Sequence, residues 1–537
     1  MAKRYRPVPR DQAFLLPPDM REWLPADHPV WLVIEVVDHH LDTTAVHAAR
    51  RTGGAGAAGY DPDMLTALLV WAYANRVTSS RRIEGLCRTD IAFRVICAGQ
   101  VPDHVTIARF RAGLGAAAAS LFDQVLVLCA RLGMGRLGLV ALDGMKIAAS
   151  ASLAANRTGE GLRKLAAQLA AEHAATDAAE DALFGPGVRG DEVPAGLADP
   201  RARADRIAAA LAELEAEQQA AREARDQQAS AHLEAVASGR TAGRHPAAAD
   251  VTAARLRLDQ AIARHQARIE DWRRRTAEKI AATGKGLQGQ VPVPPADHAG
   301  VRRAAARLDR ALARAAARDA ARKGPGPVRN VTDPHSRLMP VRGGTFIQGY
   351  NTQNVTSADG LIIATRLTAS PADVAWFEPM LRAARDAATR IAAHRPATSD
   401  SDGGQIGLIL ADAGYLSEHN LTIDGPDRLI ATGKHRNIEK TASGQPAAGG
   451  WNRTGPATTA MAARLATDQG ITAYRHRGHI GERPHGHIKH NMGFRQLSVR
   501  GIPRATAEWN LACTVANLFK AITAGHLTRQ ALTALAA

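Results

Sequence analysis

Over the first 135 residues the apolar positions recur at helical spacing. Between Tyr60 and Ile96, Met64, Leu65, Leu68, Trp71 and Ala72 follow one another at the steps that build one face of a helix. Thr78, Ser79 and Ser80 then supply hydroxyls able to cap a second helix that starts with Arg81 and Arg82. Asp103 or His104 begins a third, with Ile107, Phe110 and Leu114 on one side and Arg109 and Arg111 near its edge. Short helices with basic edges suit DNA binding, and they suit an ordinary helical bundle equally well.

The texture changes over residues 150–330, where alanine alternates with arginine, glutamate and glutamine. Ile207, Leu211 and Leu214 keep helical spacing, and the run LARAAARDAARK from Leu312 continues the style. Alanine and long unbranched side chains favour helix strongly, but small side chains bury little apolar area. Long hairpins or a protruding helical arm are expected, divided by the Gly- and Pro-rich breaks GPGVRGDEVPAG, GKGLQGQVPVPPAD and GPGPVRN, with part of the segment disordered. No catalytic set is visible here.

From residue 331 the pattern becomes mixed. TFIQGYNTQNVTSADGLIIATRLT reads as two strands around the turn SADG. AWFEPMLRAARDAATRIAA is a helix with Phe377, Met380, Leu381 and Ala384 on its apolar face. QIGLILADAGY is a buried strand, RLIATGK another short one, and ITAYRHR a last extended piece. Trp509, Leu511, Cys513 and Leu518 belong to a packed terminal helix. With residues 150–330 set aside as an insertion, the order is strand, hairpin, helix, strand, helix or loop, strand, helix. That order fits an α/β fold of ribonuclease-H-like type, with the first and fourth strands as neighbours, preceded by a helical domain.

Composition sharpens the picture. The 537-residue chain carries a formal net charge of +16, which points to a polyanion and by default to nucleic acid. Cys87, Cys97, Cys129 and Cys513 are far apart in sequence, form no CxxC pair and read as small core residues of a reducing compartment. The amino terminus lacks the apolar stretch of a signal peptide, and no apolar run reaches membrane-spanning length. A cytoplasmic location is expected.

Three acids then stand out. Asp143 closes the apolar run GLVALDG, Asp412 closes IGLILADAGY in the same manner, and Glu482 opens the basic stretch ERPHGHIKHNMGFR. Two carboxylates at strand ends and one on a helix can hold two divalent ions beside a phosphodiester, and magnesium prefers such oxygen ligands. Pro484 is tolerable only in a first helical turn, so Glu482 is expected near a helix start, sharing a face with Lys489. Arg475, Arg477, Arg483, Arg495 and Arg500 add positive charge. Histidines 476, 479, 485, 487 and 490 match no zinc spacing and are read as DNA contacts or exposed residues. Lys146 points away from Asp143 if the strand continues, Asp373 is a helix cap, Asp333 is a turn residue before Pro334, and Arg337 lies on a loop within reach of DNA.

With these motifs in view, the chain resembles a DDE transposase of a bacterial insertion sequence. The stretch from Tyr60 to Arg111, LVALDGMKIAASAS, NVTDPHSRLMPVRGGTFIQGYNTQ with LILADAGY, and YRHRGHIGERPHGHIKHNMGFRQLSVRG carry the resemblance. It implies a helical DNA-binding domain over residues 1–135, a ribonuclease-H-like catalytic domain over 136–149 and 331–525, and a helical, partly disordered insertion over 150–330. It also implies that Asp143, Asp412 and Glu482 are the catalytic metal ligands, holding two Mg2+ ions for which Mn2+ can substitute. Tyr474, Arg477, Glu482 and Lys489 approximate the family's last-block pattern, although the arginine–glutamate gap is one residue longer than usual. The expected phosphate contacts are Lys489, Arg477, Arg475, Tyr474, Arg483, Arg495, Arg81, Arg82 and Arg111. Such enzymes bind terminal inverted repeats, cut the element and join its 3′ ends to target DNA, as dimers or higher multimers. A nuclease that cuts without joining, and a DNA-binding protein with a dead catalytic fold, are the alternatives.

Overall fold

The computed structural model describes residues 19–48, 59–169, 171, 200–239, 246–321, 327–341, 343–396, 404–433 and 455–536. The expected break GPGVRGDEVPAG, and the disorder expected within residues 150–330 where it would fall on residues left out of that range, lie outside the description. The chain divides into two compact units, Met1–Asn156 with Asn330–Ala537, and Arg157–Arg329.

The first unit begins with helices α1 (Pro29–His39), α2 (Thr44–Ala48), α3 (Pro62–Ala74), α4 (Ser80–Thr89), α5 (Ile91–Ile96), α6 (His104–Ala112) and α7 (Ala117–Arg131). Local chemistry sets their starts. Asp61 accepts from the Asp63 and Met64 amides ahead of Pro62, and Asp103 accepts from those of Val105 and Thr106. Arg111 departs from expectation. It is 5 % exposed, donates to the Thr78 carbonyl at 2.5 Å and stands 3.8 Å from the fully buried Glu508. A guanidinium in that position neutralises an internal carboxylate and is out of reach of a phosphate. Cys87 and Cys97, on neighbouring stretches of the helical region, meet with sulfurs 3.7 Å apart in the core.

A six-stranded sheet follows, built from β1 (Leu139–Ala148), β2 (Arg337–Pro340), β3 (Phe346–Ser357), β4 (Ile362–Thr368), β5 (Leu408–Ala411) and β6 (Asp427–Ile430). Its order is β2-β3-β1-β5-β6, with β4 also paired to β3. β1 runs antiparallel to β3 and parallel to β5, and β5 is parallel to β6. The first strand therefore neighbours the strand that carries Asp412. This sheet, with helices on its faces, is a ribonuclease-H-like architecture.

Alternation along β1 serves two apolar layers, because successive side chains point to opposite faces. Val140 and Leu142 join the large core with α7, α8 (Phe377–His394) and α10 (Ile502–Thr523). Ala141, with Leu410 and Leu429, meets Met461, Leu465 and Ile480 on the other face. Helix α10 is buried on nearly every side, as its sequence suggests. Asn517 fixes it to the sheet by bonding both the amide and the carbonyl of Ile362 at 2.9 and 2.8 Å.

Two further expectations change and a third gains a role. ITAYRHR is helical, inside α9 (Asp468–Arg477). Asp143 is not at a strand end, since β1 continues to Ala148; what ends at that level is β5. Asp333 is the turn residue expected before Pro334, its carbonyl accepting from the Ser336 amide at 3.1 Å, and it is also fully buried, its carboxylate accepting from the Tyr350 hydroxyl at 2.9 Å and the Gly501 amide at 3.1 Å.

Candidate active site

The register of the parallel pair brings the two aspartates together. Leu142 lies opposite Ala411 on the last rung between β1 and β5, so the next positions, Asp143 and Asp412, are adjacent. Asp412 leaves the strand with extended backbone and accepts from the Gly414 amide at 2.9 Å. Tyr474 of α9 donates to the Ala411 carbonyl at 3.1 Å and pins the end of β5 from above.

Glu482 arrives on a helix that does not start where Pro484 suggested. After Arg477, α9 continues through a π-helical stretch Gly478–Glu482, an α-helical turn Arg483–Gly486 and a second π-helical stretch His487–Asn491, with αR dihedrals at each junction. Proline inside an α-helix deletes a hydrogen bond and crowds the carbonyl four residues back; a widened turn relieves both. Glu482 is thus in the middle of a helical run, and the two-turn spacing to Lys489 expected of an α-helix does not hold through π-helical turns. The helix lies close to β1. A Cβ on Gly481 would stand 3.1 Å from the Asp143 Cβ and 3.4 Å from that of Ala141.

Arg477 joins the acids. One Nη donates to Glu482 Oε1 at 2.7 Å, and the other lies 3.8 Å from Asp143 Oδ1. On the far side of Asp143, His485 Nδ1 is 3.6 Å from Oδ2. His485 is only 6 % exposed, so the expectation of a surface or DNA-contacting histidine is corrected at this position, and its Nε2 has no partner among the described residues. Burial pushes the Asp143 carboxyl up, but His485 and Arg477 outweigh it and hold the acid below its usual value. Asp412 goes the other way: burial, with Asp143 and Asp373 adding negative charge, raises it. Two adjacent acids driven apart in this manner hold one stable charge and one that titrates more readily. Burial lifts the Tyr474 hydroxyl to about 12, so it remains a donor.

Asp373 is the residue that sequence reasoning undervalued. It caps nothing through its side chain. Instead one oxygen accepts from Asn351 at 2.6 Å, Gln353 at 2.7 Å and Lys146 at 3.2 Å, all on the face of the sheet opposite Asp143. Its other oxygen faces Asp412 across Gly414, where an added Cβ would stand 3.3 Å from Asp373 Oδ2 and 2.9 Å from Asp412 Oδ1. The available signal was the polar run Asn351–Gln353 within an otherwise strand-like segment, which marks a buried acceptor to be satisfied.

The remaining sequence-predicted residues are dispersed. Arg475 and Arg483 are exposed on the same helical run, Arg483 donating to His479 at 2.8 Å. Arg495 is exposed and packs back on the Lys489 carbonyl, while Lys489 is half-buried. Arg81 and Arg82 are exposed on α4. Arg337 donates to the carbonyls of Pro334 and Ser336.

Among the described residues, the group whose ligand atoms all lie within 4.8 Å of one another is His47, Asp61 and Asp63, at α2 and the start of α3. It is a candidate metal-holding cluster, partly engaged already: Asp61 caps α3, and His47 contacts Asp63 at 3.0 Å. Asp143, Asp412 and Glu482 do not form such a group among the described residues, and Glu482 is turned onto Arg477. Among the described residues no single helix is long and apolar enough to cross a membrane.

A family model described as "Transposase domain (DUF772)" matches residues 18–113, and one described as "Transposase DDE domain" matches residues 450–522. The first spans α1 to α6, and the second contains Arg477, Glu482 and Lys489; Asp143 and Asp412 fall between the two matches. No curated protein and no solved structure matches the chain.

Proposed function

Since the chain belongs to the DDE-family transposases, we propose that it cuts DNA at the ends of a mobile element and joins the freed 3′-hydroxyls to target DNA. The observation that carries this reading is the convergence on β1: Asp143 beside Asp412, with Arg477 bridging from Asp143 to Glu482. Asp143, Asp412 and Glu482 would hold the divalent ions. Their donor set is all carboxylate oxygen, which suits Mg2+, with Mn2+ as a substitute. The presence of a guanidinium among them supports a site whose charge demands a cation. When bound, paired ions activate the attacking oxygen and stabilise the leaving one.

The chain's own residues supply position and charge. Asp143, held low by His485 and Arg477, stays ionised. Arg477 balances the charge of Asp143 and Glu482, and Glu482 would turn from it to serve as a ligand. Tyr474 keeps the end of β5 and hence Asp412 in register. The exposed Arg475, Arg483 and Arg495, together with Lys489, face phosphates, and Arg81 and Arg82 extend the basic surface on the amino-terminal helices. Function as a dimer or higher multimer on paired ends follows from the family resemblance.

The test uses labelled element ends with and without Mg2+. Asp143→Asn is expected to abolish cutting while binding to the ends persists. Cleavage at the wild-type rate in that variant refutes the assignment, and cleavage by the wild type without joined product favours a nuclease.

A further inference from the structure

The second unit contains an antiparallel helical hairpin, Asp250–Thr283 against Ala299–Ala321. Its pairing is fixed at both ends. The His265 and His298 rings stack with centroids 4.0 Å apart, and Arg314 and Arg318 reach back to Asp250 at 2.8 and 3.2 Å. Ala254, His265, Val301 and Ala311 form its buried seam.

The arginines beside that seam are not scattered. Arg264 and Arg268 are four residues apart on the first helix, and Arg303, Arg307 and Arg310 follow steps of four and three on the second. At about 3.6 residues per turn each set forms one stripe. Both stripes are rotated in the same sense from those seam positions, by roughly a fifth of a turn on the first helix and roughly a third on the second. In an antiparallel pair, rotation in the same sense puts both on one side of the hairpin. The stripes also meet near its turn: burial and His265 first, then Arg268 and Arg303, push His298 below its usual value. All five arginines are exposed and form no ion pair among the described residues. The acids Asp259, Glu270 and Asp309 fall, by the same count, on the opposite side, whereas Asp271 follows Arg268 on the arginine side, where it is paired with Arg274 and Arg275.

We propose that this two-row arginine face binds the phosphate backbone of duplex DNA, as a contact surface separate from the carboxylate site. The partner's chemistry follows from charge complementarity: guanidinium groups recognise phosphate by paired hydrogen bonds, and Gln260, the amide side chain four residues before Arg264, is already donating to the Val236 and Ala237 carbonyls. That the polyanion is duplex DNA rests on the transposase reading.

The experiment is a salt titration of duplex affinity by fluorescence anisotropy. It uses the full chain, an arbitrary labelled duplex of about 30 base pairs, enough to span several phosphate contacts, and the Asp143→Asn background without divalent metal. Replacing Arg264, Arg268 and Arg307 together with Gln removes three contacts at about 0.9 each, so the slope of log affinity on log salt shrinks by about 2.7. Replacing Arg255, Arg273 and Arg302, exposed on the other side, with Gln changes net charge equally and leaves the slope intact. Lys at the first three positions restores most of the slope, which excludes misfolding as the cause. Equal losses in the two triple variants, no loss in either, or preference of this face for an RNA duplex overturns the proposal. Because no cutting is measured, failure here leaves the assignment of the three acids standing, and failure of cleavage leaves this face standing.

Discussion

Substituting Gly481 with alanine tests the close approach of the Glu482 helix to β1. The added methyl would sit 3.1 Å from the Asp143 Cβ and 3.4 Å from the Ala141 Cβ, against an optimal carbon–carbon separation of about 3.5 to 4.0 Å. The helix must therefore move by several tenths of an ångström, and Glu482 is the next residue. Two energies compete. Alanine gains about 1 kcal/mol over glycine in a helix interior, while overpacking costs about 1 to 3 kcal/mol. The stability change is expected to be small and on the destabilising side, about 0 to 2 kcal/mol. Activity has no such compensation, because a misplacement approaching 1 Å costs about 100-fold, so a loss of about 10- to 100-fold in end cleavage is expected. The assay pairs thermal unfolding with cleavage of labelled element ends at saturating Mg2+. If Gly481→Ala gains stability by the full helix-propensity amount and cuts at the wild-type rate, the helix does not press on Asp143, and the argument for convergence is refuted.

Other perturbations have signs fixed by the same geometry. Asp412 is raised by burial first and then by Asp143 and Asp373, so the folded chain binds its proton more tightly than the unfolded chain. Stability attributable to it falls as pH rises above the ordinary value of 3.8. Asp412→Asn should therefore unfold at a higher temperature than wild type at neutral pH, with the gain fading below that value; a lower melting temperature at neutral pH contradicts the sign. Asp373→Asn removes one of the charges that raise Asp412, and the acidic limb of the cleavage profile should move to lower pH; an unmoved limb would detach Asp373 from the site. Glu508 accepts from the Tyr73 hydroxyl at 2.7 Å and the Ser498 amide at 2.8 Å beside buried Arg111. Glu508→Ala leaves that cation unpaired and should cost about 3 to 5 kcal/mol in denaturant unfolding; a cost below about 1 kcal/mol, typical of a surface pair, would mean that Arg111 finds another partner.

Much of this molecule is determined by its sequence alone. Period-two and helical apolar patterns locate β3, β4, α8 and α10, and matched apolar runs single out Asp143 and Asp412 as acids that a core strand delivers. These are local consequences of burying one face of an element, and they survive any change in the distant chain. What sequence could not decide depends on neighbours in space. Proline's local preference put Glu482 at a helix start, yet packing against β1 sustains a widened helix through that point. Arg111 carries the pattern of an edge residue, but an internal carboxylate almost four hundred positions later claims it. Asp373 reads as a cap until amides from β3 are brought to it. For Arg111 and Asp373 the deciding energy is a buried charge finding its partners, and for Glu482 it is the packing of a helix on a strand; all are long-range terms that no residue window contains.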